Sequence, residues 1–444
     1  MRLPLFITLA VLLAGCATLD PDGGLQRVQQ TVGPQHELRW QRGDADRAAA
    51  NTRVAELLAQ PLSADAAVQV ALLANRELQA ELDQLGIADA ERVSASRLPN
   101  PGLRFGRFTR GGEVEVERGL HFDLARLLAL PLVRRVESHR VAQAELAGAS
   151  RVLTLVSAVR KAQVQAVAAA QVVSYRRQVM QAAEASAELA RRMAQVGNFN
   201  ALQRAREQRF YAEAALELAR AESAAFAARE RLTRALGLWG EQTTYTLPER
   251  LPELPAQPDE RPDIERAAIA QRLDVRAARA AAERAASNVG LARATRFVNV
   301  FEFGLAHHSE TGQPAQRGWE IGFELPLFDG GDAHHARAEG LYRQAANRAA
   351  HAAIAARSEV REAYAAYRSA WDIARHHRDE LVPLAQHIGE ENLLRYNGML
   401  IGVFELLADA RTQIGTVAAG IDALRDFWLA RANLDAALVN GGPP

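Results

Sequence analysis

The sequence predicts a mainly α protein built from two copies of one unit, in which long helices run antiparallel and each copy carries a β-hairpin. Three observations lead there. The 444-residue chain is 48% hydrophobic but only 6% aromatic, and its 53 basic groups balance 53 acidic ones. Much of the apolar content is alanine, which suits helices packed closely through small residues with charges spread over their faces. From Leu132 to about Gln195 there is no proline and one glycine, Gly148, so a helix on the order of 95 Å long is expected at about 1.5 Å per residue. Finally, Glu77-Leu78 against Asp274-Val275, Gly197 against Gly398, and two pairs of alternating runs recur about 200 residues apart, the mark of an internal duplication.

At the start, Arg2 precedes an apolar run from Leu5 to Leu13. It is too short to span a membrane as a helix and suits the core of an export signal. Cys16, the only cysteine, excludes an internal disulfide even where the compartment would permit one. Leu13-Ala14-Gly15-Cys16 resembles the lipobox of bacterial lipoproteins. The resemblance implies removal of residues 1–15 and lipidation of Cys16, and Ala17 in place of Asp implies sorting to the outer membrane. Residues 16–60, rich in Gly, Gln and Asp, are expected to lie extended over the surface.

The first unit covers residues 61–240. Ser63 is placed to cap a helix, with Asp65 in the first turn where the positive helix end favours a carboxylate. That helix runs through Leu78, Leu82 and Leu85 to Arg97 and stops at Leu98-Pro99-Asn100-Pro101. A hairpin follows. Leu103 and Phe105 alternate with Arg104 and Gly106, and beyond Gly111-Gly112, Val114, Val116, Leu120 and Phe122 alternate with Glu113, Glu115, Glu117 and His121, Arg118 breaking the apolar side. The long helix, a turn at Val196-Gly197-Asn198-Phe199-Asn200 and a helix from Ala201 to Leu236 complete the unit, Gly237 ending it.

Residues 241–262 are proline-rich and extended. The second unit, 263–440, repeats the order: a helix from Ile264 to about Thr295, a strand in Phe297 to Leu305, then Trp319-Glu-Ile-Gly-Phe-Glu-Leu325. Trp319, Ile321, Phe323 and Leu325 fall on one side of that strand, Glu320, Gly322 and Glu324 on the other. Pro326 limits it, Asp329-Gly330-Gly331 supplies turn chemistry, and a helix runs from Asp332 to Arg395 before the turn at Tyr396 to Gly402. A last helix spans Val403 to about Val439. Two helices of about 35 residues end to end match one of about 64, which gives an antiparallel helical cylinder with the proline-rich connection at mid-height.

Four strands of about ten residues cannot close a barrel, yet their outer faces are too apolar to leave wet. Such strands are of bilayer-crossing length, and only closed barrels satisfy strand edges there, so several subunits are expected to pool their strands.

The order of elements taken twice, Leu98-Pro99-Asn100-Pro101, Pro326-Leu327-Phe328-Asp329-Gly330-Gly331 and the turns around Gly197 and Gly398 resemble the TolC-type outer-membrane efflux proteins over residues 61–440. The resemblance implies a homotrimer in which each protomer adds four strands to one transmembrane β-barrel, continued by a long antiparallel α-helical barrel across the periplasm. It also implies a periplasmic adaptor and an inner-membrane pump as partners, beside outer-membrane lipid. Glu113, Glu115, Glu320 and Glu324 would then face the lumen and Val114, Ile321 and Phe323 the lipid. Gly197 and Gly398 would supply positive backbone dihedrals at the two tips, with Asn198, Phe199, Met399 and Leu400 exposed to the adaptor. Val403 to Asp409 resembles the family segment that narrows the inner entrance. Glu405 matches its first acidic position, whereas the second falls on Ala408, leaving Asp409 displaced by about 100° of helix. A solvated glutamate on the outer face is the alternative for Glu405. Two departures are Leu124 to Pro131, which lacks the Phe-Asp-Gly-Gly form, and Pro383, expected to kink a long helix.

Chemistry is sparse. Lys161 is the only lysine and no basic patch forms, which argues against nucleic acid. His307-His308, His334-His335 and His376-His377 are adjacent pairs, and neighbours on a helix point about 100° apart, so a pair does not chelate by itself. Tyr364, Tyr367 and Trp371 read as a packing stripe. Neither a nucleophile–base motif nor a phosphate loop is present, so no enzyme activity, cofactor or metal is expected. The reading is a passive export duct; its rival is a structural envelope lipoprotein whose helical hairpins bridge layers without a channel.

Overall fold

A computed structural model describes residues 18–295, 300–324 and 328–440. The signal, Cys16, Phe297 to Asn299 and Leu325 to Leu327 lie outside the described residues. The chain forms two compact units: one takes residues up to Thr31, Glu81–Ala149 and Leu273–Ile354, the other Val32–Ala80, Ser150–Arg272 and Ala355 onward. They cut across the duplication, since each draws elements from both repeats.

The segment expected to be extended instead forms helices α1 (Leu25–Val32) and α2 (Asp44–Leu58). Each has enough apolar surface to bury: Val28 and Val32 in one, Ala50 and Val54 in the other. In the first unit Asp20 N–H donates to Asp89 Oδ2 at 2.7 Å and Arg27 pairs with Glu145 at 2.6 Å, fastening the chain just before and within α1.

Each short helix is broken once, where a single helix was expected. The first repeat has α3 (Ala64–Ala74) and α4 (Arg76–Ser96), interrupted at Asn75; Ser63 caps α3 by accepting Ala66 N–H. Asn75 Oδ1 accepts Leu78 N–H at 3.0 Å while its Nδ2 donates to Ala235 O at 3.1 Å, so one side chain caps α4 and ties it to a later helix.

Strands β1 (Gly102–Arg110) and β2 (Glu113–Asp123) turn through Gly111 and Gly112, both at positive φ. Helix α5 (Leu124–Gln195) starts eight residues earlier than expected, with Pro131 inside it. Asp123, the last strand residue, accepts Arg126 N–H at 2.8 Å and so caps the helix directly, which is why no separate glycine turn stands here. Helix α6 (Ala201–Leu236) ends at Gly237, φ +75°, where a Cβ would come within 2.7 Å of Asn75 Cα.

The second repeat follows with α7 (Ile264–Gln271), α8 (Leu273–Ala294), β3 (Phe301–Glu310) and β4 (Gln316–Phe323). The break between α7 and α8 falls at Arg272, which is 1% exposed, donates to Ala437 O at 3.3 Å and pairs with Glu359 at 2.6 Å. Asn75 and Arg272 thus do the same task in the two repeats, each reaching a carbonyl in the last turn of the return helix. The four strands form one antiparallel sheet in chain order.

Helix α9 (Asp332–His376) begins after Gly331, φ +71°, whose N–H is held by Asp329 Oδ1 at 2.8 Å. It passes through a π-helical turn, His377–Leu381, into α10 (Val382–Asn397), and α11 (Val403–Val439) closes the chain. The π turn is the answer to Pro383. Proline cannot donate to the carbonyl four residues back, and Val382 N–H reaches His377 O instead, widening the helix by one residue.

In the second unit the proline-rich connection is pinned by aromatic donors. Trp371 Nε1 donates to Pro255 O and Trp428 Nε1 to Pro252 O, both at 3.0 Å, and Tyr367 Oη accepts Asp259 N–H at 2.8 Å. Tyr367, Trp371, Phe427, Leu434 and Leu438 pack with Leu254 and Ile264, the Tyr367 and Phe427 rings 5.6 Å apart. The Tyr–Trp stripe is therefore core. Burying each such side chain is worth about 1.5–3 kcal/mol.

Candidate functional site: the sheet faces and the two reversal loops

Register assigns every described strand residue to a face, because residues directly opposite in a ladder share a side. Glu320 stands opposite Gly304, which stands opposite His121; Glu117 faces His308, and Glu115 faces Glu310. One face therefore carries Glu113, Glu115, Glu117, Asp123, Glu302, Glu310 and Glu320 with Arg104 and Arg110. A hollow of about 230 Å³ lies on that face over Gly119 and Gly304, bordered by Arg104, Glu117, His308 and Glu320. The glycines leave room where their neighbours carry long polar groups. Glu324 follows β4, its N–H bonded to Val300 O at 3.3 Å.

The opposite face holds Leu103, Phe105, Val114, Val116, Leu120, Phe122, Phe303, Leu305, Trp319, Ile321 and Phe323. Much of it is open: Leu103 is 80% exposed and Trp319 67%. Arg118 does not break this side alone, as it appeared to from one strand. It lies in a row with His307 and Arg317, a lateral polar band that only the pairing of β2, β3 and β4 makes visible. Among the described residues β1 and β4 each keep an unpaired edge.

The second unit holds both reversal loops, and they share one hydrogen-bond plan. In the first, Gly197 N–H bonds to Ala194 O and Asn198 N–H to Met193 O, with Gly197 at φ +80°. In the second, Met399 N–H bonds to Tyr396 O and Leu400 N–H to Arg395 O. Both are Schellman ends, in which the residue after the helix cap is left-handed. In the second loop that residue is Met399, φ +58°, and Gly398 sits at φ −79°. Gly398 is thus not the positive-φ residue the sequence suggests; the position equivalent to Gly197 is Met399. A second correction concerns Phe199, which is 8% exposed and not available to a partner, whereas Gly197, Asn198, Leu400 and Met399 are exposed, Met399 by 93%.

Asn200 caps α6 in a reciprocal box, accepting Gln203 N–H while Gln203 Oε1 accepts Asn200 N–H, each at 2.8 Å. The matching positions of the second loop are Gly402, which offers no side chain, and Glu405, which is exposed in the first turn of α11. Asp409 is half-buried and accepts a hydrogen bond from Asn392 Nδ2. Before the first loop, Arg191 and Arg192 hold the Glu188 carboxyl down at about 2, so its charge is fixed across ordinary pH.

One network had no sequence signal. Buried Glu207 on α6 accepts Ser186 Oγ of α5 at 2.7 Å and Arg411 Nη2 of α11 at 2.8 and 2.9 Å, while the Arg411 guanidinium lies 4.3 Å from the Phe210 ring centre. Three helices from both repeats meet at one carboxylate. The signal could not be found in sequence, because partners 204 residues apart show no spacing rule.

These features agree with a known class: the chain has the fold of the TolC-type outer-membrane channels, mainly helical, with long helices and one four-stranded antiparallel sheet. Among solved structures it is similar to CusC, described as undergoing transmembrane channel formation, at 18% identity, TM-score 0.71, over 86% of this chain and 93% of that one. It is likewise similar to the outer-membrane channel OprN, at 17% identity and TM-score 0.69 over 96% and 97% of the two chains. The Neisseria gonorrhoeae MtrE channel in its open state matches at 18% identity and TM-score 0.68 over 88% and 89%. No protein-family model and no curated protein sequence matches the chain.

Proposed function

We propose that the protein is an outer-membrane channel-tunnel, the passive exit duct of a tripartite efflux or type I secretion system. It works as a homotrimer, anchored by a lipid on Cys16, with outer-membrane lipid around its barrel and a periplasmic adaptor and inner-membrane pump as partners. The observation that carries this is the sheet: one face largely apolar and open, though crossed by Arg107 and the Arg118–His307–Arg317 row, one face largely acidic, and two unpaired edges among the described residues. A soluble protein would cover such a face, and a membrane tolerates such edges only when they are closed on other strands. Three copies would supply about twelve strands, an even number within the range of outer-membrane barrels. The likeness to outer-membrane channels supports the same reading. No described helix is long and apolar enough to cross a membrane, a statement that does not bear on strands.

In this reading Glu113, Glu115, Glu320 and Glu324 line the lumen, and Gly197, Asn198, Gly398, Met399 and Leu400 meet the adaptor. Glu405 gathers negative potential at the inner mouth, so that cations enter more readily than anions, with Asp409 beside it. No catalytic residue is invoked. The test is single-channel recording of the purified, crosslink-verified trimer in a planar bilayer. Discrete conductance steps are expected, with Phe323→Arg hindering insertion by about 2–4 kcal/mol and Glu324→Arg inserting normally with altered ion preference. A trimer that inserts and never conducts would leave the structural lipoprotein as the better reading. Mass spectrometry finding an unmodified Cys16 thiol would remove the anchor.

A further inference from the structure

The acidic face of the sheet contains a cluster whose chemistry passive conduction does not require, although one of its members, Glu115, is also assigned to the lumen. Glu115 on β2 lies directly opposite Glu310 on β3, and two residues along, Glu117 lies opposite His308. The ligand atoms of Glu115, Glu117 and His308 all fall within 4.8 Å of one another, with His308 Nδ1 3.6 Å from Glu117 Oε1. All three residues are half-buried.

Two features make this more than an acidic patch. Like charges directly opposite in an antiparallel pair destabilise it, and here Glu115 and Glu310 stand opposite with a third carboxylate beside them, an arrangement that a shared cation would offset. The arrangement also brings one imidazole to two carboxylates, on the two central strands of the sheet, so that a single protomer holds the complete set. Register decides which histidine takes part. His307 points to the apolar face and His308 to the acidic one, so the pair splits between the two sides. Across the ladder, β1 places Gly106 opposite Glu117 and Phe108 opposite Glu115, and the Phe108 ring lies over Gly106, so an apolar edge borders the cluster on that side.

We propose that Glu115, Glu117 and His308 form a binding site for a divalent first-row transition ion, with Zn²⁺ the ion used to test it. One nitrogen and two carboxylate oxygens suit such an ion better than Ca²⁺ or Mg²⁺, which take all-oxygen shells. Three protein ligands leave a coordination position to water, unlike the closed four-ligand shell of a structural zinc site. The site needs only the sheet of one protomer, so it stands or falls separately from the channel reading.

The experiment is competition of the full-length, tag-free protein with a chromophoric Zn²⁺ indicator, paired with the visible spectrum of Co²⁺ bound at the same site. The wild type is expected to withdraw one ion per chain. Glu117→Gln and His308→Ala should each weaken binding by at least about tenfold, the lower end of what lost coordination support costs. His307→Ala should bind as the wild type does, and circular dichroism should show every variant folded. A Co²⁺ spectrum that changes in His308→Ala places the imidazole on the ion. Wild-type affinity retained in both Glu117→Gln and His308→Ala, loss in His307→Ala instead, or no withdrawal of Zn²⁺ by the wild type would each overturn the proposal.

Discussion

The two reversal loops follow the same hydrogen-bond plan and are stabilised very differently. The first places Gly197 where the backbone is left-handed, caps the next helix with Asn200 and closes a box with Gln203. The second places Met399 in the left-handed position and Gly402 at the cap, with no side chain to receive the orphan N–H groups of α11. A left-handed non-glycine residue costs about 1–2 kcal/mol, and a good cap is worth about 1 kcal/mol over alanine and a few tenths over glycine. The second loop therefore carries local cost that the first avoids, and it also exposes its apolar pair, Met399 and Leu400, while the first buries Phe199. On this local accounting the second loop should open more readily than the first.

The difference can be broken most strongly at the network that joins the two copies. Arg411→Met leaves Glu207 buried with Ser186 as its remaining partner. Removing one member of a buried pair costs about 3–5 kcal/mol, and since the Arg411 side chain is 35% exposed we expect about 2–3. Hydrogen exchange at the first turns of α11 should rise accordingly; unchanged exchange would mean the network is not what holds that helix.

Next in size is the left-handed position itself. Gly197→Ala should raise local opening of the first loop by about 1 kcal/mol, whereas Met399→Gly should lower it in the second by a similar amount, the signs being opposite because only one loop holds a residue suited to its backbone. The same sign in both would refute their equivalence.

Smaller again is the cap. Asn200→Ala should cost about 1 kcal/mol and Gly402→Asn should gain a few tenths, read from exchange of the N–H groups of Gln203 and Glu405. Smallest is Glu405→Gln, which removes a carboxylate from the first turn of α11 and should weaken that end by about 0.3–1 kcal/mol. If Glu405 also lines the inner mouth, the same variant lowers cation preference in bilayer recordings, and that second readout separates the two roles.

How much of this was legible beforehand depended on the range of the interaction. The two sheet faces followed from alternation, since period two is a local property: Trp319, Ile321 and Phe323 fall on one side of β4 and Glu320 on the other by chain geometry alone. The loops were locatable but not their register. Glycine is the obvious left-handed residue, so Gly398 was matched to Gly197, whereas counting hydrogen bonds back from Leu400 to Arg395 puts Met399 there. The helices of residues 18–60 are not legible because their apolar content is short, Val28 and Val32 in one and Ala50 and Val54 in the other, and because a fastening such as the Arg27–Glu145 ion pair joins residues far apart in sequence. Helix breaks at Asn75 and Arg272 were invisible for the same reason: neither residue is a breaker, and each stops its helix to satisfy a carbonyl about 160 residues away.

The sequence by itself determined the elements, their twofold recurrence, the polarity of each strand face and the stops at Leu98 to Pro101 and Gly237, because periodicity, proline and glycine act within a few residues through backbone sterics. The tertiary structure alone decided which strand residues become neighbours, and hence that Glu115, Glu117 and His308 meet and that Arg118 joins His307 and Arg317. It also decided that Glu207 receives Arg411, that Phe199 is buried and that Pro383 is absorbed by a π turn. Except for the π turn, a local choice between kinking and widening the helix, these depend on distances between segments far apart in the chain, which packing fixes and no local rule encodes.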